Sequence, residues 1–139
     1  MESISSRFIP FHAHIKDQKP VFDRFNAQWT PTQIILDSDG VERHRMEGFL
    51  PADDFMAQLD LGLGKIQFQR KDFAGAEKTL RNVCEAFSKS GAAPEACYWA
   101  GVAAYKGSDD PKHLGATAKG LKERYPESEW ARKASVWSP

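Results

Sequence analysis

The spacing of apolar residues changes near the middle of the chain. Over residues 1–60, short β-prone runs alternate with short helical patterns. From about Leu61 onward, apolar and alanine positions recur at helical spacing only. The pattern therefore predicts an α/β part over residues 1–60 and an all-α part over residues 61–139.

The α/β part begins with a predicted strand. Residues 8–15 alternate, with Phe11, Ala13 and Ile15 on one face and two histidines on the other. Apolar residues at helical spacing then predict a helix over residues 20–27, since proline is tolerated in the first turn of a helix. These two elements give the order strand, helix.

A hairpin and a second helix complete the α/β part. The apolar run at residues 32–37 predicts a strand that is buried on both faces. Asp39 and Gly40 suit the positive backbone angles of a tight turn, so residues 41–49 are expected to return antiparallel. Pro51, with two aspartates behind it, predicts a helix start. Its buried stripe is expected to be Phe55, Met56, Leu59 and Leu63.

Two glycines occupy similar positions in the all-α part. Gly64 and Gly101 lie in similar small-residue segments 37 residues apart, near the ~34-residue period of helical-pair repeats. A mid-helix glycine costs about 1 kcal/mol relative to alanine. We therefore expect neighbouring helices to approach closely at both glycines. Two helices should meet at Lys71-Asp72, and Ser128 should cap a last helix that ends the array.

Composition excludes several functions. The chain has 19 Lys and Arg against 19 Asp and Glu, so it lacks the basic field of a nucleic-acid-binding protein. No apolar stretch reaches the ~20 residues of a membrane span, and the N-terminus has no signal-peptide pattern. We expect a cytoplasmic protein with neither a nucleic-acid nor a membrane partner.

The potential metal and thiol ligands form no cluster in the sequence. His12, His14 and His44 lack a fourth ligand at a fixed spacing and are interpreted as solvated positions of the sheet, so no metal or other cofactor is expected. Cys84 and Cys97 fall beside helical apolar positions and are interpreted as buried thiols. The alternative is a redox pair between adjacent helices.

The α/β part resembles the second half of a thioredoxin-like domain. Trp29-Thr30-Pro31-Thr32, the apolar run behind it and Asp39-Gly40 occur in the order of that family. The resemblance implies a cis Thr30–Pro31 bond and a peptide-binding edge formed by Trp29, Thr30, Pro31 and Thr32. The Cys-x-x-C segment has no counterpart, because no cysteine precedes Cys84. Thiol-disulfide chemistry requires a thiolate, so a catalytic site is not expected here.

The all-α part resembles tetratricopeptide (TPR) repeats. Leu63-Gly64, Ala76 and Leu80 match small and apolar positions of one repeat, and Ala100-Gly101 match those of the next. The resemblance implies a curved surface for a protein or peptide. Candidate residues of that surface are Phe68, Tyr98, Trp99 and Tyr105. Packing between helices is the alternative role of these aromatic side chains.

The family's sheet has a central strand that this sequence lacks. It lies between the strands that residues 8–15 and 32–37 match, so its absence leaves backbone groups unpaired on both neighbours. Each buried unpaired group costs about 1 to 3 kcal/mol, which a marginally stable domain cannot sustain. The two flanking strands, a second copy or a different protein must fill the gap. We favour a homodimer through the open edge.

The sequence thus predicts a truncated thioredoxin-like β-α-β-β-α module followed by TPR-like helical hairpins and a capping helix. The predicted function is a non-catalytic, redox-inactive module for protein interaction or assembly. The alternative is a fragment or subunit of a thiol-disulfide oxidoreductase whose Cys-x-x-C lies upstream or on a partner.

Overall fold

The computed structural model describes residues 2–138 of the chain, and its helices outnumber its strands. The elements, in chain order, are α1 (Glu2–Ser5), α2 (Lys19–Arg24), β1 (Thr32–Leu36), β2 (Glu42–Glu47), α3 (Ala52–Gln69), α4 (Phe73–Ala86), α5 (Ala93–Ser108), α6 (Lys112–Arg124) and α7 (Glu129–Ala134), followed by a 3-10 turn (Ser135–Trp137). Among the described residues, no helix is both long and apolar enough to cross a membrane.

The predicted hairpin is confirmed. Strands β1 and β2 pair antiparallel, from Thr32 opposite Glu47 to Leu36 opposite Glu42, with an irregularity after Ile35. The Asp37 carboxylate accepts hydrogen bonds from the backbone N–H groups of Asp39 and Val41, at 2.9 and 3.0 Å. These bonds close the turn.

The angles of the turn differ in one respect from the prediction. Gly40 has a φ of +77°, whereas Asp39 is not among the residues with positive φ. A second residue with positive φ is not needed, because the Asp37 carboxylate accepts hydrogen bonds from two backbone N–H groups of the turn.

The predicted strand over residues 8–15 is wrong. This segment has no regular structure before a turn at residues 15–17, and Ile9 is 99% and Phe11 73% exposed. Within residues 2–138 the sheet has two strands only. A strand forms by pairing, and the central neighbour to which this segment would pair is missing from the sheet.

The prediction that residues 32–37 are buried on both faces is also wrong. Ile35 is 5% exposed, whereas Leu36 is 37% exposed. The side chains of neighbouring strand residues point to opposite faces of the sheet, and Ile35 faces α3. Helix α3 therefore buries one face of β1 and leaves the other partly open.

Helix α3 is continuous across residues 60 and 61 and packs on two sides. A Cβ added to Gly62 would collide with the side chain of Ile35 in the sheet, and one added to Gly64 would lie 2.5 Å from Leu80 Cδ2 in α4. The two glycines thus let α3 approach both the sheet and the next helix. The division of the chain at residue 60 stays a prediction, and this helix spans it.

The helices of the second part pack in sequence, each against the next. Their main core contains the buried residues Ala57, Leu61, Ala76, Leu80, Val83, Cys84, Ala92, Ala96, Ala100 and Ala103. Helix α6 ends before Pro126, and the predicted cap of the last helix is confirmed because Ser128 accepts from the Ala131 N–H. The close approach expected at Gly101 is present, since an added Cβ would lie 2.7 Å from Thr117 Cβ.

We expect Gly101→Ala to lower the free energy of unfolding by about 1 to 2 kcal/mol. Overpacking against Thr117 costs roughly 1 to 3 kcal/mol, and the higher helix propensity of alanine offsets up to about 1 kcal/mol of that cost. The matched control is Gly120→Ala in α6, where no atom lies within 4 Å of an added Cβ. It should raise stability by up to about 1 kcal/mol. Urea unfolding of both variants checks this, and equal stability of the two would contradict it.

Candidate interaction edge beside the cis proline

The segment 29–32 is held in place at the start of β1. The Thr30–Pro31 bond is cis, the isomer that the resemblance implies. Thr32 Oγ1 donates to the Trp29 carbonyl at 2.6 Å, and the Gly48 N–H donates to the Pro31 carbonyl at 2.8 Å. Trp29 is 67% exposed. The segment is thus fixed by backbone contacts while its side chains stay accessible.

Arg45 fixes the chain that leads into this segment. Its guanidinium donates to the Phe25 carbonyl and forms ion pairs with Glu42 at 2.6 Å and Glu47 at 3.5 Å. These contacts connect the residues after α2 to strand β2. Strand β2 therefore fixes the position of Phe25, from which the chain continues to Trp29.

The free edge of β1 can be identified from the ladder. The bond from Gly48 to Pro31 makes the odd-numbered residues of β1 the ones that pair with β2. Thr32 and Ile34 therefore direct their N–H and C=O groups away from β2. Within residues 2–138 these groups have no backbone partner. Strand β1 thus presents an open edge directly after the cis proline.

The two edges of the sheet differ in charge. Strand β1 has the sequence Thr-Gln-Ile-Ile-Leu and carries no charged side chain. Strand β2 has the sequence Glu-Arg-His-Arg-Met-Glu. Charged side chains protect an edge strand against pairing with another chain, so only the β1 edge is left unprotected.

Exposed apolar side chains are concentrated in the same part of the chain. Among the described residues the large exposed ones are Ile9, Phe11, Ile15, Trp29, Leu36, Val41, Phe49 and Val136. All except Val136 belong to residues 9–49. Phe49, which is 82% exposed, was not predicted to be part of such a surface, and Phe11 and Ile15 were predicted to lie in a strand. The alternation of residues 8–15 indicated an apolar surface. It could not show that this surface stays exposed in the described part of the chain.

On the face of the sheet that packs against α3, His44 begins a chain of polar contacts. Its Nε2 lies 2.6 Å from Gln58 Oε1, and its Nδ1 lies 3.3 Å from Lys65 Nζ. Lys65 in turn pairs with Glu95 at 2.7 Å. A lysine ammonium only donates, so Nδ1 accepts and the Nε2–H donates to Gln58. The contacts connect β2, α3 and α5 through a neutral histidine.

Burial is the main cause that lowers the pKa of His44, and the charge of Lys65 acts in the same direction. The prediction that this histidine is solvated is therefore wrong, whereas His12 and His14 are exposed. Across residues 2–138, no group of three or more His, Cys, Asp or Glu side chains is arranged to bind a metal.

The candidate surface residues of the second part lie mostly within an aromatic cluster. The Phe68 and Trp99 rings are 5.3 Å apart, and Tyr98 stacks on Trp137 at 4.9 Å. These side chains are half-buried and pack between helices, which is the alternative role given for them above. Tyr105 is half-buried outside these ring pairs. A binding role of the four residues stays a prediction.

The two cysteines form a disulfide, so the interpretation as buried thiols is wrong. Cys84 in α4 and Cys97 in α5 have Cα atoms 4.9 Å apart. The sequence placed each cysteine beside apolar positions correctly. It could not show that the two stripes face each other, which depends on how α4 and α5 pack. The bond lies in the helical part, on different elements from Pro31.

Residues 1–62 match the family model of the thioredoxin-like domain. The match supports a thioredoxin-like fold for this part, and it ends within α3. No curated protein and no solved structure matches the chain. The thioredoxin-like part therefore contains the cis proline, the open β1 edge and, among the described residues, every large exposed apolar side chain except Val136.

We expect the protein to lose stability as the pH falls below the ordinary pKa of histidine, because His44 has a lower pKa in the folded than in the unfolded state. In that range the unfolded chain binds more protons, so acid favours unfolding. The free energy of unfolding, measured between pH 8 and pH 5, should fall less steeply for His44→Gln than for the wild type. The control His12→Gln, at an exposed position, should keep the wild-type slope. Identical slopes in all three proteins would contradict the role of His44.

Proposed function

We propose that this protein is a non-catalytic assembly module that associates with a second copy through the β1 edge of its thioredoxin-like part. The observation that carries the proposal is the uncharged, unpaired edge of β1 beside the cis proline, together with the exposed apolar side chains of residues 9–49. The sequence has no Cys-x-x-C motif to support catalysis.

The chemistry of the edge favours a second copy as the partner. Two β1 edges related by a two-fold axis at Ile34 would pair antiparallel, with Ile34 opposite its equivalent and Thr32 opposite Leu36, and none of these residues is charged. The net charge is zero, so two copies do not repel each other as a whole. Association would also cover apolar side chains of β1 such as Leu36, which is 37% exposed, at about 25 cal/mol per Å² of apolar area.

The helical part is proposed to be a TPR-like array that presents a surface to a further protein or peptide. Support comes from the sequential packing of α3 to α6 and from the two close contacts at Gly64 and Gly101, 37 residues apart. Repeats of this kind stack pairs of helices into a curved surface. The cytoplasmic location likewise stays a prediction.

A second function is favoured by the position of the open edge. In the thioredoxin family, the strand that belongs beside β1 leads into the Cys-x-x-C segment. A partner or an upstream segment that supplies this strand would bring the cysteines close to Pro31. The chain would then be a fragment or subunit of a thiol-disulfide oxidoreductase, and its cis proline would contact the substrate.

We expect the wild-type protein to be a dimer at micromolar concentration, measured by light scattering after size-exclusion chromatography. Ile34→Glu should raise the dimer dissociation constant by about tenfold or more, because it places like charges across the two-fold axis. Ile34 points away from α3 and lies opposite Arg45, whose charge a glutamate complements, so the variant should keep the wild-type circular dichroism spectrum.

The matched control is Gln69→Glu, which adds the same charge at an exposed position at the end of α3, outside the sheet. It should leave the dimer intact. A monomeric wild type, or equal weakening by both substitutions, would refute association through β1.

We expect no catalysed reduction of insulin by this chain in the presence of dithiothreitol, because no thiolate pair lies beside Pro31. Turbidity from the released insulin B chain measures the reaction. Activity that persists in the Cys84→Ser, Cys97→Ser double variant would point to a contaminant. Activity that the double variant loses would overturn the non-catalytic assignment.

A further inference from the structure

The disulfide opens onto a small cavity in the helical part. The cavity has a volume of about 220 Å³ and lies between α4, α5 and α6. Both cysteines line it, together with Arg81, Arg124, His113 and Gly120. Gly120 leaves open space, since nothing lies within 4 Å of the position of a Cβ there. A small molecule therefore has room to reach the sulfur atoms.

The two sulfur atoms have different surroundings. Cys84 is 4% exposed, whereas Cys97 is half-buried and more accessible. Arg124 Nη1 lies 3.4 Å from Cys84 Sγ, and Nη2 donates to the Cys84 carbonyl at 2.8 Å. The second bond fixes the guanidinium beside the sulfur of Cys84.

This asymmetry determines which sulfur is the better leaving group. A positive charge within about 4 to 6 Å stabilises a thiolate and lowers the pKa of its thiol. In thiol-disulfide exchange, the sulfur whose thiol has the lower pKa leaves faster. Cys84 is therefore the favoured leaving group, and Cys97 is the favoured point of attack because of its exposure.

We propose that the Cys84–Cys97 bond is an exchange site for a low-molecular-weight anionic thiol, which forms a mixed disulfide with Cys97. The incoming thiolate attacks Cys97 Sγ and forms a new S–S bond. The bond between Cys97 and Cys84 breaks, and its electron pair leaves on Cys84 Sγ as a thiolate beside Arg124. One disulfide replaces another, so the step needs no further oxidant or reductant.

The size and charge of the cavity define the class of thiol. A volume of about 220 Å³ is below the roughly 300 to 1,000 Å³ of sites that enclose a drug-sized ligand, so the cavity admits the thiol-bearing end of a small peptide rather than a protein loop. Two arginines line the cavity, and Arg81 is 3.0 Å from Glu77, which offsets part of its charge. Arg124 supplies the remaining attraction for a carboxylate-bearing thiol.

This site is independent of the proposed dimer edge, because it uses helices α4 to α6 and not the sheet. Exchange would remove the covalent link between α4 and α5. The mixed disulfide would thus change the covalent structure of the helical part and leave β1 and Pro31 unaltered.

The test is reaction of the oxidised protein with glutathione, followed by alkylation of free thiols and mass-spectrometric mapping. The adduct should be on Cys97, with the alkyl group on Cys84. Glutathione diethyl ester, whose carboxylates are masked, should react more slowly than glutathione. An adduct mainly on Cys84, no adduct at all, or faster reaction of the ester would overturn the proposal.

Variants separate the role of the Arg124 charge from that of the fold. Arg124→Gln should slow the exchange roughly three- to tenfold, since no guanidinium charge then stabilises the departing Cys84 thiolate. Arg124→Lys should retain most of the rate. The control Arg132→Gln, whose guanidinium donates to the Glu127 carbonyl outside the cavity, should react like the wild type. A wild-type rate in Arg124→Gln would refute the role of the guanidinium.

If Arg124→Gln fails to fold, Gly120→Leu tests the same route of attack. Its side chain would fill the cavity at a position with free space, so the exchange should slow while the circular dichroism spectrum stays that of the wild type. An unchanged rate in this variant would show that the thiol does not enter through the cavity.

Discussion

Close packing of helix α3 on two sides connects the sheet to the helical part. The helix packs against the sheet through Gly62 and against α4 through Gly64, on two different sides. Neither contact leaves room for a Cβ without movement of a neighbouring side chain. The low helix propensity of these glycines is offset by close packing on both sides. The thioredoxin-like part and the helical part therefore share one helix.

Polar contacts reinforce this arrangement. His44 on β2, Lys65 on α3 and Glu95 on α5 form one chain of contacts, so the sheet is connected to a helix beyond α4. The histidine must remain neutral to accept from the lysine. Protonation of His44 would therefore break its contact with Lys65 and weaken this connection.

The thioredoxin-like part has a cis proline at the start of β1, and within residues 2–138 no second strand lies beside β1 on its free edge. The segment around Pro31 is fixed by backbone hydrogen bonds, while the open edge of β1 carries no charged residue. The charges are all on β2. This asymmetry, together with exposed side chains such as Phe49, is the physical basis for assigning the free edge to association.

The local elements could be predicted from the sequence. The hairpin, the start of α3, the Ser128 cap and the close contacts at Gly64 and Gly101 follow from turn, cap and propensity rules that act over a few residues. Of the candidate site, the sequence indicated Trp29 to Thr32 but not the apolar side chains that accompany them. The tertiary structure was needed to establish that residues 8–15 form no strand, that His44 is half-buried and that Cys84 pairs with Cys97. Each of these depends on which distant segment lies opposite, and periodicity along a chain carries no information about that partner.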